Sequence, residues 1–282
     1  MGQTEWHSLR ELFLYGTEVL SAAGIEDAET DAHILLEYAA GTDRSGYYLH
    51  MHEPAGEAET QMFCRMLQRR AQREPVQYIT GEASFYGNTF FVNPAVLIPR
   101  QDTEILVEEA GKRLRSSMHL LDLCTGSGCI LLSLLKSHGD VTGTGSDISA
   151  AALKVADRNR VRLGLQAQWI ESDLFAGIKE TFDMIVSNPP YIDSDVMREL
   201  QPEVIGHEPA IALDGGKQGL DILCRIIREA PEYLNENGWL LLEIGYDQGD
   251  PVKKLFQEQG FQEVQIIRDL EQRERVAAGR RA

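Results

Sequence analysis

The spacing of apolar positions divides the chain before any motif does. Over residues 1–75 they recur at helical intervals. Ala28, Ala32, Leu35, Leu36 and Ala39 fall on one face behind Asp27, a candidate N-cap. Met62, Met66 and Leu67 mark a second amphipathic helix from about Glu57, with Arg65, Arg69, Arg70 and Arg73 on its other faces. Methionines at this spacing read as core filler. A small helical bundle over 1–75 accounts for the pattern, and no catalytic constellation lies in it. Over 76–98 the texture changes. Phe85, Tyr86, Phe90, Phe91 and Val92 are β-formers split by Gly87-Asn88, a hairpin turn signal, so a short β-hairpin is predicted to link two domains.

Helical spacing returns over Glu104–Leu114, and from His119 short apolar runs alternate with helical stretches. The pattern predicts strands over 119–123, 141–146, 167–170, 182–187 and 239–244. Helices fall between them, beginning at Ile130 and covering 150–163 and 220–234. The terminal "RERVAAGRRA" reads as a closing strand. Such alternation is the signature of an α/β domain, here 99–282, with a mostly parallel sheet covered by helices on both faces.

Polar and special residues gather where these strands end. After the first strand, "DLCTGSGCI" turns into a helix; Gly126 and Gly128 let backbone approach a ligand, and the helix start offers free N–H groups. Leu131 replaces the third glycine of a dinucleotide fingerprint, and no Gly-Lys-Ser/Thr follows, which excludes a P-loop. Asp147 ends the second strand, where a carboxylate accepts hydrogen bonds from ribose hydroxyls. Gly143 and Gly145 lie inside that strand and are not part of a ligand loop. Asp173 follows the third strand, placed to meet an adenine amino group, with Leu174 packing the ring. Together these features point to an adenosine ligand.

The fourth strand stops at "SNPPYI", 187–192, since prolines lack the N–H of a sheet ladder. The corner has a chemical use. The Asn188 side-chain oxygen and the Pro189 carbonyl are two acceptors for the hydrogens of a planar NH₂ group, Pro190 stiffens the turn, and the Tyr191 ring stacks on an amide or base. A methyl sulfonium above Gly126–Gly128 and Asp147 would be the electrophile.

Charge narrows the substrate. The formal net charge is −17 over 282 residues, with no basic cluster beyond Arg65–Arg73, which disfavours a phosphate backbone. Cys64, Cys124, Cys129 and Cys224 show no paired spacing and read as reduced thiols. The seven histidines lack metal-ligand pairing, the start Met1–Trp6 has no basic or apolar leader character, and no run approaches a membrane span. The expectation is a cytoplasmic, metal-free protein without direct nucleic-acid or membrane contact.

"PVQYITGEASFYG", "VLIPRQDTE", "DLCTGSGCI", "SNPPYI", "EPAIALDGGKQGLD" and "LLLEIG" together resemble the bacterial HemK/PrmC family of release factor glutamine methyltransferases, over nearly the whole chain. DNA adenine methyltransferases share the fold, the cofactor and the Asn-Pro-Pro-aromatic motif, but not the other stretches. The resemblance implies a Rossmann-like methyltransferase fold with a seven-stranded, mostly parallel sheet and an all-helical N-terminal domain; the expectation, as a hypothesis, is that this domain helps dock the release factor. It implies methyl transfer from S-adenosylmethionine to the glutamine amide of a Gly-Gly-Gln motif in class 1 bacterial release factors, by a monomeric enzyme. By matching position, Cys124, Thr125, Gly126, Ser127, Gly128, Asp147, Leu174 and Asn188 would contact the cofactor. Asn188, Pro189, Pro190 and Tyr191 would hold the glutamine. Arg100 would lie near the active site or be tied up in an ion pair with Asp102 or Glu104. Cys124 stands where the family commonly has glycine, Gln101 replaces a proline, Gln218 an aspartate and Leu174 an aromatic. These departures bear on cofactor affinity, not on reaction type.

Overall fold

A computed structural model of the protein describes residues 8–282, so the leader reading of Met1–Trp6 lies outside the described residues. The chain divides into two compact units. One reaches to Gly81 and takes in Gln201–His207; the other comprises Glu82–Leu200 and Glu208–Ala282.

In the first unit, helices Leu9–Ala22, Ala28–Ala40 and Glu57–Ala71 bury Leu12, Leu20, Leu35, Leu36, Phe63 and Leu67 in one core. The face predicted from Ala28 to Ala39 is buried, whereas Met62 turns outward. Asp27 precedes its helix without a side-chain capping bond. Arg70 is buried, donating to Asp31 Oδ2 at 2.6 Å and to Glu203 Oε1 at 3.1 Å, and Arg73 reaches the same Glu203 oxygen at 3.1 Å. These charges hold the late segment Gln201–His207 within the helical unit.

The second unit opens with the hairpin, β1 (Glu82–Phe85) and β2 (Asn88–Phe91). Its turn is Tyr86-Gly87 and not Gly87-Asn88, because Phe85 pairs with Asn88. Both turn residues have positive φ, 47° and 69°, the type I′ geometry whose hand matches strand twist. Asn88 stabilises it by donating from Nδ2 to Tyr86 O at 2.9 Å.

The main sheet contains β3 (His119–Leu123), β4 (Thr142–Asp147), β5 (Gln168–Glu171), β6 (Phe182–Ser187), β7 (Leu234–Glu243), β8 (Gln262–Arg268) and β9 (Glu274–Arg280). Their spatial order is β5-β4-β3-β6-β7-β9-β8, with β9 antiparallel to both neighbours and the pairs from β5 to β7 parallel. The apolar pattern announced all but β8, whose edge position leaves it largely uncovered. Alternate residues feed two cores. Leu120, Met184, Val186 and Leu241 pack with helices Glu104–Arg113 and Cys129–Ser137; Leu121, Leu123, Ile185 and Leu242 pack with Asp221–Tyr233 and Gly249–Glu258.

From β3 the chain steps outward through β4 to β5, then returns to place β6 on the other side of β3. The carboxyl ends of β3 and β6 therefore form a topological switch point, the crevice where open α/β sheets bind ligands. Leu123 lies opposite Ser187, whose hydroxyl donates to Leu123 O at 2.7 Å and fastens the seam. No helix among the described residues is long and apolar enough to cross a membrane, and no cluster of potential metal ligands occurs among them.

Candidate active site

The loop after β3 is shaped by left-handed backbone at Cys124 (φ 56°), Gly126 (54°) and Gly128 (77°). At Gly128 a Cβ would also come within 3.1 Å of Trp169 and 3.3 Å of Ala156, so a side chain there would be both strained and crowded. Cys124 carries a Cβ in the same backbone region, a strain of about 1 kcal/mol. Cross-links offset it. The Thr125 N–H donates to Ser146 O at 2.9 Å, and its hydroxyl donates to the fully buried Asp122 at 2.5 Å. The Gly126 N–H donates to Asp147 Oδ2 at 2.9 Å. Asn159, buried beneath, donates to both Ser127 O and Phe91 O and accepts from the Phe91 N–H, tying β2 to the loop.

Above this loop lies a cavity of about 290 Å³. Thr125, Gly126 and Ser127 form one side, Asp147 and Ile148 the end of β4, and Asp173 and Leu174 the end of β5. Burial pushes the carboxyls of Asp147 and Asp122 up, Asp122 to about 7. Burial, with Asp147 nearby, pushes the Cys124 thiol up to about 12, so it is no nucleophile at neutral pH. The residues fit S-adenosylmethionine. Asp147 accepts backbone N–H groups from Gly126 and Ser149 and retains lone pairs for ribose hydroxyls, while Leu174, Ile148 and Ile222 offer apolar walls to an adenine ring.

At the opposite side of the switch point β6 ends in Ser187, and Asn188 and Pro190 face the cavity; Pro189 is buried. Asn188 Nδ2 donates to Thr103 Oγ1 at 3.1 Å. Glu243, at the end of β7, accepts from the Tyr191 hydroxyl at 3.0 Å. Burial and the adjacent Glu243 hold the Tyr191 phenol far above its ordinary pKa. The backbone of the motif is clamped from outside. Ile192 N–H donates to Leu213 O at 3.0 Å, Gly215 N–H to Ile192 O at 2.8 Å, and Gln248 Nε2 to Tyr191 O at 2.9 Å. A Cβ on Gly219 would land 1.9 Å from Tyr191 O, so the Asp-Gly-Gly-Lys-Gln-Gly stretch owes its glycine there to close backbone approach.

The chain is similar to known proteins over both of its units. The PrmC N-terminal domain family matches residues 11–81, and the methyltransferase small domain family matches 100–217. The release factor glutamine methyltransferase of Geobacter sulfurreducens is 40% identical over 97% of this chain and 96% of its own. That of Agrobacterium fabrum is 40% identical over 93% of each. The chain belongs to the release factor glutamine methyltransferase family. In fold it also resembles a methyltransferase of Pyrococcus furiosus, at 16% identity and a TM-score of 0.55, covering 79% of this chain and 99% of that one.

Among this family member's sequence-predicted residues, the cavity brings together Arg100, Cys124, Thr125, Gly126, Ser127, Asp147, Asp173, Leu174, Asn188 and Pro190. Gly128 and Tyr191 lie behind its wall, and Pro189 is buried. Arg100 pairs with the buried Glu208, not with Asp102 or Glu104; Asp102 pairs with Arg275 and Glu104 accepts the Tyr86 N–H. Asp173 is about half exposed, and its carboxylate is paired with Arg225 at 3.1 Å. Sequence reasoning missed Thr103, Glu243, Gln248 and Ile148. Only Ile148, beside Asp147, had a local signal.

Proposed function

We propose that the protein transfers a methyl group from S-adenosylmethionine to the side-chain amide nitrogen of the glutamine in the Gly-Gly-Gln motif of class 1 bacterial release factors. The observation that carries this reading is Asn188, set at the switch point on the wall of a cavity whose other side fits an adenosine. Membership of the family, through relatives alike over nearly the whole chain, supports the substrate.

Bound S-adenosylmethionine supplies an electrophilic methyl group on a cationic sulfur. The Gly126–Gly128 loop and Asp147 hold it, and Leu174 and Ile148 pack its base. An amide nitrogen is a weak nucleophile because its lone pair is delocalised, so the chain contributes orientation above all. Asn188 Oδ1 and the Pro189 carbonyl accept the two N–H groups of the target amide, fixing its plane and aiming its nitrogen. Tyr191 acts through its ring, because its hydroxyl is committed to Glu243. No base from the chain is called for, since an N-alkylated protonated amide is acidic enough to release its proton to water.

The helical unit serves as the docking element for the release factor, in a cytoplasmic enzyme that works as a monomer without nucleic acid. It presents Tyr48 and Leu49 to solvent. Replacing both with serine is expected to raise KM for the whole factor while leaving cofactor affinity unchanged; an unchanged KM refutes docking through this face. The rival reading, a DNA adenine methyltransferase, is disfavoured by the net charge of −17.

The deciding experiment offers labelled S-adenosylmethionine with a release factor, the same factor with Gly-Gly-Ala in place of Gly-Gly-Gln, and duplex DNA. Label on the intact factor alone is expected. Label on DNA, or on the Gly-Gly-Ala factor, overturns the proposal.

A further inference from the structure

We propose that Arg100 binds the α-carboxylate of the cofactor's methionine tail. The inference rests on the cofactor placement of the reading above, not on the identity of the methyl acceptor. S-Adenosylmethionine is positively charged at its sulfur and its α-amine, and negatively charged at its α-carboxylate. The carboxylates of Asp147 and Asp173 on the cavity wall favour the positive groups and repel the negative one. The tail carboxylate therefore needs a cation of its own.

Strand order says where that cation must stand. The sheet runs β5-β4-β3-β6, with Asp173 after β5, Asp147 at the end of β4 and Asn188 after β6. An adenosine laid along this edge has its base by Asp173, its ribose by Asp147 and its sulfur toward Asn188. The tail beyond the sulfur then meets the wall that includes Arg100 and Thr103. Asn188 Nδ2 donates to Thr103 Oγ1 at 3.1 Å, and the Thr103 N–H donates to Arg100 O at 3.2 Å, which places Arg100 at that end. Among the described residues, the cations on the cavity wall are Arg100 and Arg225. Arg225 is at the adenine end, engaged with Asp173 at 3.1 Å. Arg100 is the one left for the tail.

Its ion pair with Glu208 does not use it up. Arg100 Nη2 donates to Glu208 Oε1, and Glu208 also accepts the Ile98 N–H at 3.2 Å. The Glu208 side chain is 2% exposed and that of Arg100 40%, so the carboxylate anchors the guanidinium from its buried side. Nε and Nη1 of Arg100 have no hydrogen-bond partner among the described residues. Neutralising Glu208 thus takes one nitrogen of a residue on the cavity wall and leaves two for an anion within the cavity. A planar guanidinium gives a carboxylate two parallel N–H bonds, a match that a lysine ammonium lacks.

Calorimetry in the absence of any methyl acceptor tests this. The ligands are S-adenosylhomocysteine and its decarboxylated analogue, which keeps the nucleoside, the sulfur and the amine. The wild type is expected to bind S-adenosylhomocysteine about 10- to 100-fold more tightly than the analogue. Arg100→Gln is expected to lose that preference, weakening S-adenosylhomocysteine about 10- to 100-fold and the analogue by no more than about threefold. Because Arg100→Gln leaves Glu208 buried without its counter-ion, the paired change Arg100→Gln with Glu208→Gln is measured beside it. The paired variant is expected to show the same loss of preference. A wild type without the preference overturns the proposal. So does a paired variant that keeps it, whether binding stays intact or weakens for both ligands alike. A wild type that binds neither ligand overturns the cofactor placement itself. If the calorimetric pattern is as expected but no release factor is labelled, this inference stands and the substrate reading alone fails.

Discussion

In the helical unit Asp31 and Arg70 meet at 2.6 Å with Glu203 on the far side of the guanidinium, so each buried charge has a counter-ion. At the carboxyl edge of the sheet, Asp122 Oδ1, Ser146 Oγ and Glu243 Oε2 are buried without a hydrogen-bond partner. Cys124 and Leu174 there hold left-handed backbone at φ 56° and 49°. Both regions bury polar groups, but for different ends. The first satisfies its charges with one another and gains a defined helix arrangement. The second leaves buried polar atoms unpaired behind the cavity wall and holds strained turns beside it, a cost that clusters at functional sites. Asp31 shows the cost even of the satisfied case: burial raises its carboxyl above the ordinary value despite Arg70.

The contrast can be broken from either side. Asn188→Ala removes an acceptor and is expected to cut transfer by about a thousandfold or more, with cofactor affinity changed less than about tenfold. Single-turnover assays and calorimetry check this, and full turnover by the variant would sink the orientation mechanism. Asp31→Ala leaves Arg70 buried with Glu203 as its remaining partner, and should cost about 3 kcal/mol in urea denaturation. The paired change Asp31→Leu with Arg70→Met should recover most of that loss, since an ion pair and an apolar pair of similar size are nearly equivalent when buried. Gly219→Ala pushes a Cβ into Tyr191 O at a residue with φ +67°, and is expected to cost about 2 kcal/mol of stability. It should also slow transfer about tenfold by shifting the motif. The smallest effect sharpens the comparison. Cys124→Gly relieves about 1 kcal/mol of left-handed strain but adds the chain entropy of glycine and loses the packing of Cys124, so the net change in stability should be about 0.5 kcal/mol or less, read from Tm.

The amino-acid sequence alone determined the features that act over a few neighbouring residues. The apolar interval of Ala28 to Ala39 marks a helix, because a helix repeats its buried face within the segment itself. The loop Cys124–Gly128, Asp147 and Asn188-Pro189-Pro190-Tyr191 are legible because strand ends carry their own stop signals, and parallel strands bring those ends to one edge. Local rules also failed within their range where two choices were nearly equal. The turn at Tyr86-Gly87 differs by one residue from the Gly87-Asn88 signal, and strand pairing decided the register. β8 was hidden because an edge strand buries too little to show a period.

Only the tertiary structure decided the rest. Thr103 meets Asn188 across 85 positions, Tyr191 meets Glu243 across 52, and Arg70 meets Glu203 across 133. Nothing near Thr103 or Glu243 in the chain distinguishes them from a helix-flanking threonine and a strand-end glutamate. Their roles arise because the sheet order places β7 and the segment before helix Glu104–Arg113 around the end of β6. A hydrogen bond depends on two atoms in space, and when the partners lie far apart in sequence, no local pattern of either one encodes the other.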